Sequence, residues 1–254
     1  APPGCTRPQV PLSTPSAAAA EAYTPAMRAH IRHLYEAALR YTDERLGRLL
    51  ALLEELDLAR STLIVVTSDH GEEFFEHGLL QHGHTLYEEL VRIPLLLAGP
   101  GIEAGSLAQP AMLVDVVPTL LARLGLPRPE HLQGVDLCGP RWPARAVWSE
   151  VDSRFARKYA LRTPDGLKTI QGPETQRNQR PNARAWELYD LGRDPGEQTD
   201  LAESTAERLA AARAELERHR ATLESLGRAL GAAAEGELDA ETLAALEALG
   251  YVGE

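Results

Sequence analysis

The sequence predicts an α/β protein, and two neighbouring patterns indicate this class. Apolar positions recur at helical spacing over roughly residues 30–57, and a β-branched run without polar alternation follows directly at 61–67. A helix followed by a strand that is apolar on both faces is typical of a layered fold with a parallel sheet. The apolar run 93–98 and the segment 114–124, with Pro118 in a first helical turn, continue this layer.

Beyond residue 140 the pattern changes to short strand-like pieces separated by turn residues. These pieces lie at 146–150, 159–162, 167–170 and 186–189 and predict a small antiparallel sheet. Residues 201–230 have a strongly helical composition, and a last helix is predicted at 243–249. The predicted organisation is therefore a linker, a core, a small sheet and a helical tail, over residues 1–29, 30–140, 141–200 and 201–254.

Composition excludes some function classes. The chain has 254 residues, 44% of them hydrophobic, which is enough to bury a core. Its net charge of -11 argues against a nucleic-acid partner, because phosphate binding needs clustered cations. No apolar run reaches the length of a membrane span, and the first 16 residues lack the features of a signal peptide. Two cysteines, Cys5 and Cys138, are too few for a disulfide framework.

The segment that follows the 61–67 strand has the residue types of a metal site. Asp69 and His70 come directly after the strand, at the edge where ligand sites gather in a parallel sheet, and Gly71 allows a sharp turn. A carboxylate oxygen and an imidazole nitrogen are common ligands of divalent metals, and a complete site needs further ligands. The alternative is a turn in which Asp69 caps the next helix.

Three of the eight histidines fall in one glycine-punctuated stretch just downstream: His77, His82 and His84. Neutral histidine binds metal, and its protonated form holds an anion or protonates a leaving group near neutral pH. The spacing does not match a helical zinc motif. A merely solvated loop is the alternative interpretation of this cluster.

The motifs together resemble the distal half of a sulfatase of the alkaline phosphatase superfamily, from about residue 30 to the end. The resemblance rests on the order of Tyr35, Asp43, Ser68-Asp-His-Gly-Glu72, Glu76-His-Gly78, His82-Gly83, Leu86-Tyr-Glu-Glu89, Arg92-Ile-Pro94, Val114-Asp-Val-Val-Pro-Thr-Leu120, Glu187-Leu-Tyr-Asp-Leu191, Asp194-Pro-Gly-Glu197 and Leu249-Gly-Tyr-Val252.

This resemblance implies an alkaline phosphatase-like sandwich, with a partial, mostly parallel central sheet, flanking helices, a small C-terminal antiparallel sheet and a helical tail. It implies hydrolysis of sulfate esters at a bound Ca²⁺, for which Asp69 and His70 resemble the second pair of metal ligands. His82 lies where sulfatases place a cation that contacts the sulfate and stabilises the leaving group. His77 and His84 are further candidates for substrate binding. The implied partners are sulfated or phosphorylated small molecules or glycans, and many relatives are exported or membrane-anchored.

The sequence also departs from the family pattern, because it has no Cys-x-Pro-x-Arg segment for the nucleophile. Cys5-Thr-Arg-Pro8 has similar residues in another order. We therefore expect a fragment that lacks its nucleophile and is inactive alone, with the N-terminal half as the partner that covers an exposed sheet edge.

Two other functions remain open from the sequence. One is a phosphodiesterase, phosphonate hydrolase or phosphotransferase of the same superfamily, which would use Mn²⁺ or Zn²⁺. The other is a degenerate, non-catalytic binding domain.

Overall fold

The computed structural model describes residues 23–139, 144–152, 157–172 and 185–231. The chain forms two compact units, residues 1–213 and residues 214–254. The predicted helix at 243–249 and most of the predicted linker at 1–29 lie outside the described residues.

The first element is a long helix, α1 (Pro25–Glu55), which begins earlier than the predicted residue 30. Thr24 caps it by accepting a hydrogen bond from the Met27 amide at 3.3 Å, and Pro25 occupies the first turn, where no amide donor is needed. None of its residues is buried, and leucines and tyrosines on it are exposed. The helix is amphipathic in sequence, but its apolar side chains meet little of the described chain.

The strands expected to be parallel, β1 (Ile64–Thr67) and β4 (Leu95–Ala98), pair antiparallel, so that expectation was wrong for this pair. Thr67 lies opposite Leu95 because the connection returns to the same end of the sheet. The expectation that both faces of the sheet are buried was also wrong. β1 is only half-buried at its first three residues, and β4 alternates half-buried with exposed residues.

The connection between these strands contains a small hairpin and a short helix. The hairpin pairs β2 (Glu73–Phe74) with β3 (Leu80–Gln81), and the helix is α2 (Glu88–Val91). Aromatic contacts tie the hairpin to α1: the rings of Tyr35 and Phe74 lie 4.9 Å apart. The guanidinium of Arg28 lies 4.2 Å from the centre of the Phe75 ring.

After β4, a 3₁₀ turn (Leu113–Asp115) leads into α3 (Val116–Arg123). Asp115 is fully buried and accepts hydrogen bonds from the amides of Met112 at 2.7 Å and Val135 at 2.9 Å. Its carboxylate also pairs with Arg145. This single side chain therefore fixes three separate segments by satisfying their polar groups.

The predicted small antiparallel sheet is confirmed. It contains β5 (Val147–Asp152), β6 (Arg157–Arg162), β7 (Leu167–Gln171) and β8 (Trp186–Asp190), paired in chain order. One face packs against the α2 region through a core that contains Leu86, Tyr87, Ala160, Ile170 and Tyr189.

The other face of the small sheet is covered by the start of α4 (Ala206–Leu230), where Ala212 packs with Leu188 and Ala202. In the second unit, the described part of α4 has an exposed pair in which Arg220 and Glu224 lie 3.1 Å apart. Among the described helices, none combines the length and the apolar character that a bilayer crossing requires.

Candidate active site

Asp69 and His70 follow β1, as predicted, and Gly71 places them against α2. A side chain at Gly71 would put its Cβ 2.0 Å from the Glu89 carbonyl oxygen, so only glycine fits here. The Gly71 amide donates a 2.8 Å hydrogen bond to the Leu90 carbonyl. The glycine therefore serves a close approach to α2, where the sequence had suggested a sharp turn.

The hydrogen bonds of His70 determine which ring nitrogen holds a proton. Nδ1 lies 2.8 Å from the carbonyl oxygen of Gly71, and a carbonyl only accepts, so Nδ1 is the donor. In the neutral ring this leaves a lone pair on Nε2, which lies 3.5 Å from Oδ2 of Asp69. A backbone carbonyl that orients one ring nitrogen is the usual support of a histidine that binds metal through the other.

His82 stacks on His70, with ring centres 4.0 Å apart and planes inclined by 28°. Its Nδ1 lies 3.1 Å from a carboxylate oxygen of Glu72. The hydrogen bond to Glu72 raises the pKa of His82 above 6.5 against the opposing effect of burial, with smaller contributions from the charges of Glu72 and Asp69. A histidine that is held by a carboxylate and is partly exposed suits the binding of an anion.

The donor set at this edge fits part of a metal site. Oδ2 of Asp69 and Nε2 of His70 lie close enough together for one ion to bind both, because metal–ligand bonds are about 2.0–2.6 Å long. The Asp69 side chain is 70% exposed. In the part of the chain that the structure describes, no group of three or more His, Cys, Asp or Glu side chains is arranged to hold a metal.

The structure brings Asp69, His70 and His82 together, whereas His77 and His84 contact other groups. Nε2 of His84 lies 2.8 Å from Oε2 of Glu73, and both side chains are buried. Nδ1 of His84 is buried and has no hydrogen-bond partner among the described residues.

His77 stacks on Tyr87, with ring centres 3.6 Å apart, and Nδ1 lies 2.6 Å from a carboxylate oxygen of Glu89. Nε2 lies 3.1 Å from the Glu197 carbonyl oxygen. Burial lowers the pKa of His77, but the hydrogen bonds and charges of Glu89 and Glu197 outweigh this effect and raise it above 6.5. Substrate binding by His77 and His84 stays a prediction.

Sequence reasoning missed the carboxylates that orient these histidines. Glu72 and Glu89 belong to the motifs that were recognised, but their spacing alone does not reveal which histidine each one meets. Glu73 is fully buried, and its Oε1 accepts from the amides of His77 at 3.1 Å and Leu79 at 2.7 Å. The sequence gives one local indication of this role: Glu73 is an acidic residue that lies between the metal-ligand motif and the histidine cluster.

Solved structures with the same architecture define the class of protein. A 2-O GAG sulfatase matches with a TM-score of 0.69 and 23% identity, over 81% of this chain and 46% of that one. A protein solved in complex with its substrate D-glucosamine-2-N,6-O-disulfate matches with a TM-score of 0.59 and 30% identity, over 72% of this chain and 39% of that one. The fold is therefore the alkaline phosphatase-like α/β fold of sulfatases.

Sequence relatives lead to the family. The sulfatase family model matches residues 7–126. Arylsulfatase K of Canis lupus familiaris is 40% identical over 198 residues, which are 68% of this chain and 34% of the relative. The delta 4,5-hexuronate-2-O-sulfatase of Bacteroides thetaiotaomicron is 28% identical over 182 residues, which are 67% and 37% of the two chains. The chain belongs to the sulfatase family and spans about a third of the length of these curated relatives.

Proposed function

We propose that this chain forms the part of a sulfate-ester hydrolase that supplies two metal ligands and the residue that stabilises the leaving group. The observation that supports this proposal is the arrangement of Asp69, His70 and His82 at the end of β1, with the imidazole of His82 stacked on that of His70.

In this proposal Asp69 binds the metal through Oδ2 and His70 binds it through Nε2. The resemblance to sulfatases makes Ca²⁺ the proposed ion, and it would neutralise charge on the sulfate oxygens when bound. The Gly71 carbonyl keeps the proton of His70 on Nδ1, so that Nε2 stays available. The nucleophile and the remaining metal ligands would come from residues other than those assigned here.

His82 acts on the substrate in this proposal. Glu72 holds Nδ1, so the Nε2–H bond of the protonated ring is free to face an ester oxygen. A fixed cation at that position would stabilise the negative charge that develops on the leaving group. The support for a sulfated sugar as substrate comes from the relatives, one of which is a hexuronate-2-O-sulfatase and another of which binds a glucosamine disulfate.

The test is hydrolysis of an aryl sulfate and an aryl phosphate by the natural gene product, with and without Ca²⁺. We expect Ca²⁺-dependent cleavage of the sulfate ester, and we expect Asp69→Asn to lower the rate and to raise the Ca²⁺ concentration needed. His131→Gln, at an exposed position in the loop after α3, is the control. Cleavage of the phosphate ester alone, or an unchanged Ca²⁺ requirement in Asp69→Asn, would overturn the proposal.

A further inference from the structure

His82 depends on an unusual backbone. The hairpin segment, residues 73–84, contains four residues with positive φ, and two of them are not glycine: Phe75 at 71° and Gln81 at 76°. Gln81 directly precedes His82. A non-glycine residue in this region costs on the order of 1–3 kcal/mol and persists only where surrounding contacts hold it. The position of His82 is therefore set by whatever fixes the hairpin segment.

The ring of His77 is one such contact, because it joins the hairpin segment to two other elements. Its Nδ1 lies 2.6 Å from the carboxylate of Glu89 on α2, and its face stacks on Tyr87 just before that helix. Its Nε2 lies 3.1 Å from the carbonyl of Glu197, 120 residues further along the chain. A side chain with three long-range contacts and little exposure has one available position.

The same helix fixes His70. The backbone of Gly71 lies against Glu89 and Leu90, with a 2.8 Å hydrogen bond from the Gly71 amide to the Leu90 carbonyl. Glu89 therefore meets Gly71 with its backbone and His77 with its side chain. Contacts with one element, α2, therefore fix the segments that carry the His70 and His82 rings.

The C-terminal side of this arrangement is itself anchored. The Glu197 side chain is fully buried, and its Oε2 accepts from the Glu88 amide at 2.6 Å. Nζ of Lys168, on β7, lies 2.9 Å from Oε1 of Glu88 and 2.8 Å from Oε1 of Glu197. The Glu197 carbonyl that meets His77 is consequently held in place by buried charges.

The hydrogen bonds also define the charge of His77. A carboxylate faces Nδ1 and a carbonyl faces Nε2, and both groups only accept, so both ring nitrogens are donors. The Gln198 amide nitrogen lies 3.5 Å from the same Nε2, but the shorter contact to the carbonyl decides the assignment. The charged groups that face this ring are Glu89 and Glu197, with Glu88 and Lys168 behind them.

We propose that His77 is a positioning residue, which sets the stacking of His82 on His70 by tying the hairpin segment to α2 and to the Glu197 segment. The inference rests on the proposed function only for its catalytic consequence. The geometric statement concerns the two rings and does not depend on the reaction.

The geometric test is histidine side-chain NMR on the whole chain. In the wild type we expect two protonated nitrogens on His77 at neutral pH and nuclear Overhauser contacts between the rings of His70 and His82. His77→Gln keeps a polar side chain but not the double donor, so those contacts should be lost in molecules that remain folded. Glu89→Gln removes the same anchor from the other side and serves where His77→Gln does not fold.

The control is His131→Gln, which should leave the spectrum of the His70–His82 pair unchanged. A neutral His77 in the wild type, or an intact ring contact in folded His77→Gln or Glu89→Gln, would overturn the proposal.

A kinetic test separates this inference from the proposed function. In the natural gene product, Glu89→Gln should lower kcat about 10-fold with little change in KM, as is typical for residues that orient a group in a site. If the wild type lacks sulfatase activity, the proposed function fails, while the NMR result still decides the positioning role. A fall in thermal stability without any change in kcat would contradict the positioning role.

Discussion

Two pairs of histidines lie within residues 69–84, and they differ in what surrounds them. His70 and His82 stack on each other near the surface, where the side chains are 35% and 45% exposed. The side chains of the second, largely buried pair, His77 and His84, are only 10% and 5% exposed, and each one pairs with a carboxylate that is also largely buried. We therefore expect the same residue type to serve two purposes: the first pair is exposed and accessible to a ligand, whereas the second pair is largely buried and should contribute mainly to the fold.

The largest expected effect is a loss of stability when Glu73, which contacts both residues of the buried pair, is removed. Glu73→Ala leaves the amides of His77 and Leu79 and Nε2 of His84 without their acceptor. We expect the free energy of unfolding to fall by about 3 kcal/mol, as urea denaturation would measure. Glu76→Gln is the matched control on the same hairpin segment. Its amide oxygen can still accept from the Phe74 amide, so the change removes the exposed ion pair with Arg32, for which we expect less than about 1 kcal/mol. Equal effects of the two substitutions would remove the distinction between the pairs.

The exposed pair should behave in the opposite way. His82→Ala should lower kcat for an aryl sulfate by about 10²–10³-fold, the usual effect of removing a group that stabilises charge in the transition state. Because the His82 side chain is 45% exposed, the urea midpoint should hardly change. A large loss of stability with normal turnover would mean that His82 is a structural residue.

A smaller effect is expected at Glu72, which contacts His82 without being assigned to the substrate. Glu72→Gln keeps the size of the side chain and removes the carboxylate that orients His82 and raises its pKa. We expect kcat to fall about 10-fold, since supporting groups of this kind typically contribute that amount. Steady-state kinetics beside Glu76→Gln would check this, and equal kinetics in the two variants would exclude a role for Glu72.

The smallest effect is the pH dependence of stability that His77 causes. Its pKa is raised in the folded protein, so above pH about 6.5 the folded state binds more protons than the unfolded state. The contribution is complete below that pH and is lost as the pH rises through the folded pKa. Stability should therefore decline with rising pH in this window, and less steeply in His77→Gln. Urea denaturation over the window measures both slopes, and identical slopes would show that His77 does not titrate differently on folding.

The local elements could be predicted from the sequence because their signals are local. The strand-like pieces at 146–150 and 186–189 appear as β5 and β8, and the helical composition at 201–230 appears as α4. The antiparallel pairing of β1 with β4 could not be predicted, because an apolar run is equally compatible with either direction.

Part of the candidate site was also predictable, because its sequence signal is local. Asp69 and His70 are adjacent in sequence, and the end of a strand is a recognisable position. The partners of His77 were not predictable, because Glu197 lies 120 residues away and is held by its buried ion pair with Lys168. Charged residues are usually exposed, so the sequence does not indicate which of them are buried.

The most direct measurement is the histidine side-chain NMR spectrum during titration with Ca²⁺ and then with an aryl sulfate. If the exposed pair is the site, the resonances of His70 should shift with Ca²⁺ and those of His82 with the sulfate ester, while those of His77 and His84 stay in place. Shifts confined to His77 or His84, with His70 and His82 unchanged, would contradict the assignment of the two pairs.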